Sequence, residues 1–327
     1  MFPLRPNPGG QVLRPALSVF GLILWINGCI SPVPILPENQ TLPIDWVELT
    51  DTPFFPQKAY QCGPAALATL LSASGIPLEP DVLIPKVYLP KKKGSLQPDL
   101  LAASRRYGRI PYVIDPDLSA ILEELYAGRP VLVLQNIGFK IHPVYHYAVV
   151  VGIDLNNNHL ILRSGKTERL VMNTRRFVKT WRRIDSWGLV LLKPGKMPAR
   201  FNPKRYLQAV AAMEATGRSP EAELGYRAAL RRLPADPVAL FGLGNSLLGQ
   251  SRYLQAEQTY RHLLSIQPEN KAAMNNLAET MVKQGHYQDA LEIINRAIKI
   301  ESGDQEIMEI CLQTRAEILK LKSFQNK

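Results

Sequence analysis

Cysteine is scarce in this sequence, and its scarcity narrows the chemistry first. Three cysteines occur in 327 residues, Cys29, Cys62 and Cys311, and no two form a Cys-x-x-Cys pair. Neither a disulfide framework nor a cysteine-ligated zinc site is indicated, and each cysteine has its own context. A phosphate-binding Gly-rich loop and a dinucleotide-binding turn are both missing, so no cofactor and no metal are implied. Acidic residues are in the minority: 28 Asp and Glu stand against 39 Lys and Arg, a net charge of +11. The basic residues nevertheless form no long block. They come as Lys91-Lys92-Lys93, Arg105-Arg106, Arg175-Arg176, Arg182-Arg183 and Arg231-Arg232, without interleaved aromatics. A solvated surface fits this scatter better than a nucleic-acid track, and no nucleic-acid partner is expected.

What is present supports two domains. The hydrophobic fraction is 46%, enough for real cores, and the length leaves room for two of them. Ahead of them lies an address. Arg5 and Arg14 precede the apolar run Ala16 to Ile26, followed by Asn27-Gly28-Cys29. A basic start and a short apolar segment read as a secretory signal, too short for a comfortable membrane span; an uncleaved N-terminal anchor is the alternative. The Pro-rich stretch Ser31 to Leu42 reads as a tether.

The stretch Gln57 to Ala66 carries the first candidate for chemistry. Cys62 stands just before Gly63-Pro64 and a helical run from Ala65 to Ser74, with Leu67, Leu70 and Leu71 on one face and Gly75 and Pro77 as stops. A thiol at a helix N-terminus is expected to have a lowered pKa and to be nucleophilic. The plain alternative is a buried structural cysteine at a turn. Further on, the pattern predicts an extended segment over Asp45–Phe55, short elements over Leu78–Pro90, and helices over Leu96–Tyr107, with Ser95 as N-cap, and Leu118–Ala127. Strands are expected at Val131–Gln135, His146–Gly152, His159–Arg163 and Leu189–Leu192. Helices followed by an antiparallel sheet make an α+β domain. His146 opens a strand after a loop holding His142, Pro143 and Tyr145. A helix-borne thiol facing such a histidine can form a nucleophile–base pair, although a lone histidine at a strand start is more often a polar edge residue.

The C-terminal part repeats. Ala222, Ala256 and Ala290 recur at intervals of 34 residues, as do Tyr226, Tyr260 and Ile294, and Gly217, Ser251 and Gly285. Pro234 and Pro268 close two of the units. This is the spacing of tetratricopeptide repeats, two antiparallel helices per unit. The repeats are placed at about 205–238, 239–272 and 273–306, the first degenerate, with Gln305–Lys322 as a solvent-facing capping helix. Cys311 falls in that helix as a small packing residue. The repeats serve either as a groove for a protein partner or as packing against the first domain or a second copy.

Three resemblances add to this reading. Ile26-Asn27-Gly28-Cys29 resembles a bacterial lipoprotein box, which implies cleavage before Cys29, lipid on that residue, and, with no Asp after it, sorting to the outer membrane. Gln57…Cys62-Gly63-Pro64-Ala65-Ala66, followed by His146-Tyr147-Ala148-Val149-Val150-Val151-Gly152, resembles the peptidase C39-like families, papain-like in fold, which include the double-glycine leader peptidases of bacteriocin exporters. Leu89-Pro90-Lys91…Gly94-Ser95-Leu96-Gln97, with Gly108…Pro111-Tyr112, looks like a subgroup of lipoproteins that join such a domain to tetratricopeptide repeats. The peptidase resemblance runs from near Asp45 to Pro194. It implies Cys62 as nucleophile, His146 as general base and acid, and Gln57 beside the Cys62 backbone N–H as oxyanion donors, with Gln61 a rival. The family usually places an Asp on the strand after the histidine strand; here Ser164 stands about there. A weakened pair, a carboxylate from elsewhere, or a lapsed enzyme all remain open, and Asp154 is expected in the turn at the far end of its strand.

The expected organisation is therefore a signal peptide over 1–28, a lipidated tether over 29–43, a papain-like α+β peptidase domain over 44–198, and an all-α repeat solenoid over 200–327. The expected function is that of a lipid-anchored cysteine peptidase of the bacterial envelope, on the periplasmic face of the outer membrane. It would act on a peptide or protein substrate, hold a protein partner on its repeats, and meet the membrane through its N-terminal lipid. The alternative is a non-catalytic scaffold.

Overall fold

The computed structural model describes residues 45–301 and 304–325, which lie in one compact unit. The expected signal segment, Cys29 and the whole of the tether lie outside the described residues. Among the described residues, no helix is long and apolar enough to cross a membrane.

The N-terminal half is built on a seven-stranded antiparallel sheet. Its strands are β1 (Trp46–Glu48), β2 (Ile110–Val113), β3 (Val131–Asn136), β4 (Tyr145–Asp154), β5 (His159–Ser164), β6 (Thr167–Asn173) and β7 (Gly188–Leu192). The order is β2-β7-β3-β4-β5-β6, and β1 pairs with the far end of β4, beyond the last β3 partner at Val150. The helices are α1 (Cys62–Ala73), α2 (Pro80–Val87), α3 (Gln97–Arg106), α4 (Leu118–Tyr126) and α5 (Thr174–Trp181).

Strand alternation sorts the sheet into two faces. Tyr147, Val149 and Val151 of β4, with Ile161 of β5, join Leu67, Leu70 and Leu71 of α1 in one cluster. Ala148 and Val150, with Leu160 and Leu162, join Phe177 and Trp181 of α5 in the other. Each fully buried leucine of α1 contributes about 1.5–3 kcal/mol over an exposed one, which fixes that helix against β4.

Four strands were legible in the pattern, and β1 lies in the segment expected to be extended; β2 and β6 were not legible, because each is an edge. Pro111 lies in β2, which pairs only with β7, where a missing N–H costs nothing. β6 reads Thr-Glu-Arg-Leu-Val-Met-Asn and leaves most of its side chains to solvent. The extended reading of Asp45–Phe55 shrinks to the three residues of β1. α1 begins at Cys62 itself rather than at Ala65, so the thiol belongs to the first turn. Ser95 is not an N-cap: Leu96 takes that position without a side-chain cap.

The C-terminal half is α-helical: α6 (Pro203–Glu214), α7 (Ser219–Arg232), α8 (Pro237–Gly249), α9 (Tyr253–Ile266), α10 (Lys271–Lys283), α11 (Tyr287–Lys299) and α12 (Gln305–Gln325). The starts of α6, α8 and α10 are 34 residues apart, as are those of α7, α9 and α11. A tyrosine of one pair seats on a glycine of the next. A Cβ on Gly242 would lie 2.1 Å from the Tyr226 ring, so only glycine allows that approach. Cys311 and Ile318 of α12 are buried, while much of that helix faces solvent.

The two halves share a core. Ile110, Tyr112, Val190 and Leu192 at the β2–β7 edge fall in one cluster with Tyr206 and Val210 of α6. Arg200, in the connection, donates to Asp117 at 2.7 Å and to Ser119 at 3.1 Å, and also pairs with Glu123. The Tyr112 hydroxyl donates to the Arg200 carbonyl at 3.2 Å. These bonds tie the connection ahead of the first repeat helix to α4 and β2.

Candidate active site

The site is assembled where the start of β4 meets the N-terminus of α1. Cys62 opens α1, and its backbone points the first-turn N–H groups at the thiol. Burial is nevertheless the larger influence and pushes the thiol pKa above its ordinary value; hydrogen bonds from the backbone at Tyr147, Gly63 and Cys62 offset this in part. The lowered pKa expected from the helix terminus is therefore overturned. A partly buried thiolate loses more hydration than three backbone groups return.

Three features fix that helix start. A Cβ on Gly63 would fall 2.3 Å from Ser95 Oγ, so glycine is required for the contact. The Tyr147 hydroxyl donates to the Ser95 carbonyl at 3.3 Å, and the Tyr147 ring meets Trp187 edge-on, with centroids 6.1 Å apart. Ser95 Oγ is itself buried without a hydrogen-bond partner. Sequence reading assigned Ser95 to a cap and did not bring it to Cys62; Trp187 was not singled out.

Gln57 arrives on the segment between β1 and α1. Its backbone N–H donates to the Gly165 carbonyl at 2.9 Å, and its side-chain amide donates to the Tyr147 carbonyl at 3.4 Å. The amide therefore lies against the same stretch of backbone as the thiol. A buried arginine holds the segment in place. Arg163 donates through Nε to Thr52 O at 3.2 Å, through Nη2 to Thr50 O at 3.1 Å and through Nη1 to Glu168 O at 2.9 Å. Gln61 is the N-cap of α1 and makes no side-chain cap bond.

His146 is the second residue of β4. Its Nε2 lies 2.8 Å from Ser164 Oγ at the end of β5. The position where the family resemblance leads one to expect a carboxylate is thus filled by a hydroxyl that touches the imidazole. Opposite His146 on β3 stands Gln135, which donates to Thr180 Oγ1 of α5 at 2.7 Å. Burial lowers the His146 pKa below its ordinary value. Asp154, at the other end of β4, is half-buried and accepts from Asn157, far along the strand from the imidazole.

Alternation puts the His146 side chain on the face of Ala148 and Val150, away from α1. Cys62 packs with the α1-side cluster and reaches the strand at the Tyr147 backbone. Thiol and imidazole thus flank the same two residues of chain. Among the described residues, no hydrogen bond joins them. Both groups are driven by burial toward their neutral forms, so a thiol and an imidazole, rather than an ion pair, occupy the site at neutral pH. Cys62 and Cys311 are both free thiols. Among the described residues, no group of three His, Cys, Asp or Glu is placed to hold a metal ion.

A helix-borne cysteine against an antiparallel sheet with a strand-borne histidine, followed by 34-residue helix pairs, defines the class: a cysteine-peptidase-like domain joined to a repeat solenoid. Comparison with known families gives the same two parts. Residues 49–187 match the Peptidase_C39 like family, and residues 247–307 match the tetratricopeptide repeat. The chain therefore carries a C39-like peptidase domain and tetratricopeptide repeats. No curated protein matches the chain. Among solved structures, it is similar to a putative C39-like peptidase from Bacillus anthracis, at 15% identity and a TM-score of 0.39, over 46% of this chain and 98% of that one. It is also similar to the peptidase domain of Streptococcus ComA, a bi-functional ABC transporter, at 22% identity and 0.36, over 43% and 98%. The repeats are similar to the Sgt2 TPR domain from Aspergillus fumigatus, at 19% identity and 0.34, over 38% and 82%.

Proposed function

We propose that this protein is a lipid-anchored cysteine peptidase of the bacterial envelope whose repeats hold a protein partner. The supporting observation is the 2.8 Å contact between His146 Nε2 and Ser164 Oγ, at the strand start against which the Cys62 thiol packs. With Nε2 donating to Ser164, Nδ1 is the nitrogen free to accept a proton. In the reaction, Cys62 Sγ attacks the peptide carbonyl carbon as its proton passes to His146 Nδ1. The developing oxyanion takes hydrogen bonds from the Cys62 N–H and the Gln57 amide. The C–N bond breaks, and the imidazolium returns its proton to the leaving amine. Water then attacks the thioester, giving its proton to His146; the C–S bond breaks, and the thiol is reprotonated. Because the resting pair is neutral, the proton moves during attack rather than before it. No hydrogen bond joins thiol and imidazole among the described residues, so the transfer requires the two to approach when substrate binds, as the contacts of apo sites tighten in the substrate complex.

The test is digestion of a mixed peptide library by the full chain, read by mass spectrometry. Wild type should cleave, while Cys62→Ala and His146→Ala should not; cleavage by Cys62→Ala equal to wild type refutes the reading. The anchor is tested separately. Incorporation of a clickable fatty acid, abolished by Cys29→Ser, supports lipid at Cys29.

A second reading is a catalytically lapsed scaffold. The hydroxyl at Ser164 favours it, because a neutral group orients an imidazole without stabilising its positive charge as a carboxylate does. No cleavage of any peptide, with a partner still captured by the repeats, would select it.

A further inference from the structure

The segment between β3 and β4 carries the two most exposed large apolar side chains among the described residues. Phe139 and Ile141 are 75% and 82% exposed, and Ile137, Val144 and Tyr145 are also exposed. These side chains do not sit on a loose loop. Ile137 N–H donates to Val144 O at 2.9 Å, and Phe139 N–H to His142 O at 3.1 Å. Asn136 Oδ1 accepts from the N–H groups of Gly138 and Val144, each at 3.1 Å. Arg183 donates from the neighbouring helical turn to the carbonyls of Asn136 and Gly138. The hairpin is therefore a preorganised finger with large apolar side chains at its tip.

Its charge is one-sided. Residues 136–146 contain no Asp or Glu, and neither do residues 174–184 of α5 and the turn after it. The tip carries Lys140 between Phe139 and Ile141. Thr180 bonds to Gln135 and Arg183 to the hairpin backbone, so the C-terminal end of α5 lies by the finger's base and brings Lys179, Arg182 and Arg183 there. Exposed apolar side chains with cations at the tip and beside the base match an anionic bilayer interface, where the former enter the acyl boundary and the latter meet headgroups. An extended peptide is served less well, since a convex tip surrounds little of a single chain, whereas ligand sites are concave.

We propose that the β3–β4 hairpin is a membrane-docking finger for anionic phospholipid, with Phe139 and Ile141 inserting and Lys140, Arg182 and Arg183 at the headgroups. Tyr145 and His146 follow directly on the same strand, so docking sets the opening of the candidate site at the lipid surface. This contact is independent of any lipid at Cys29 and of whether Cys62 is catalytic.

The experiment places a reporter at the tip of the full chain. Phe139→Trp is mixed with vesicles of phosphatidylcholine, with or without phosphatidylglycerol, whose acyl chains are brominated, and the wild-type emission is subtracted. With phosphatidylglycerol present, the added emission should shift to the blue and be quenched. Salt should weaken the effect, and Lys140→Glu with Arg182→Glu in the same background should move the quenching midpoint roughly tenfold or more toward higher lipid. An added emission that stays water-like while the protein sediments with vesicles means that another part of the chain binds them and overturns the proposal. A shift caused by apolar peptides but not by vesicles also overturns it, in favour of a peptide subsite.

Discussion

Replacing Ser164 by aspartate isolates the electrostatics behind the imidazole. Ser164 Oγ stands 2.8 Å from His146 Nε2, and Ser164 is only 9% exposed. A carboxylate in its place puts a full negative charge about 4 Å from the imidazolium charge, worth about 4 kcal/mol at an effective dielectric constant near 20. Dehydrating the carboxylate removes part of this. A net gain of about 1.5–3 kcal/mol remains, which corresponds to a rise of about 1–2 pKa units. In the native chain burial lowers the His146 pKa, so its neutral form favours the fold: that stability is present above the ordinary histidine range and is lost as pH falls through the lowered value. Ser164→Asp reverses the direction, so acidification toward pH 6 should then stabilise relative to wild type. The assay is NMR titration of carbon-13-labelled imidazole, with urea unfolding across the same pH range. Ser164→Ala is the control. It removes one hydrogen bond, about 1 kcal/mol, and should leave the titration low. If Ser164→Asp does not raise the His146 titration, the contact does not exist in solution, and Ser164 does not orient the imidazole.

Three further outcomes follow from the same geometry. Iodoacetamide should alkylate Cys62 slowly at pH 7 and faster only as pH rises beyond the ordinary thiol value of 9.0, because burial raises its pKa; rapid, pH-independent reaction in acid would mean a preformed ion pair. The same raised pKa makes Cys62 a source of stability below that range that fades as pH climbs through it, and Cys62→Ala should flatten that alkaline limb. Gly63→Ala should cost about 1–3 kcal/mol in urea unfolding, since its Cβ meets Ser95 at 2.3 Å, and a second change, Ser95→Gly, should restore most of it; no loss in the single variant would mean that Ser95 gives way freely. Arg200→Ala should lower stability by about 1–2 kcal/mol, discounted because its side chain is 34% exposed, and should speed limited proteolysis between residues 193 and 202; an unchanged cleavage rate would show that the shared apolar core alone holds the halves together.

Much of the architecture was legible because it rests on local periodicity. The 34-residue spacing of Ala222, Ala256 and Ala290 marks positions where helices touch, and all three are fully buried. The strands buried on both faces read as apolar runs, whereas β2 and β6 did not, since an edge strand tolerates proline and polar residues. Ser164 came into view through the family resemblance, which places a side chain behind the histidine on the next strand; the 2.8 Å contact itself depends on how β4 and β5 pair. The thiol's ionisation was not legible. A helix N-terminus is visible in Gly63-Pro64, but the burial that outweighs it comes from packing against a cluster whose members, such as Leu67, Leu134 and Tyr147, lie far apart in the chain. The role of Arg163 was hidden likewise, because its three carbonyl partners lie on segments that only the fold brings together.

The sequence by itself determined which groups are available: one helix-borne thiol, one strand-borne imidazole, a hydroxyl where a carboxylate is expected, and a set of helix pairs. These depend on residue type and short-range spacing. The tertiary structure decided what those groups are at neutral pH and what lies around them. Burial holds both the thiol and the imidazole neutral, alternation along β4 sets them on either side of the same backbone, and packing at the β2–β7 edge joins the repeats to the sheet. Desolvation and packing are sums over neighbours drawn from the whole chain, which is why they appear only once it is folded.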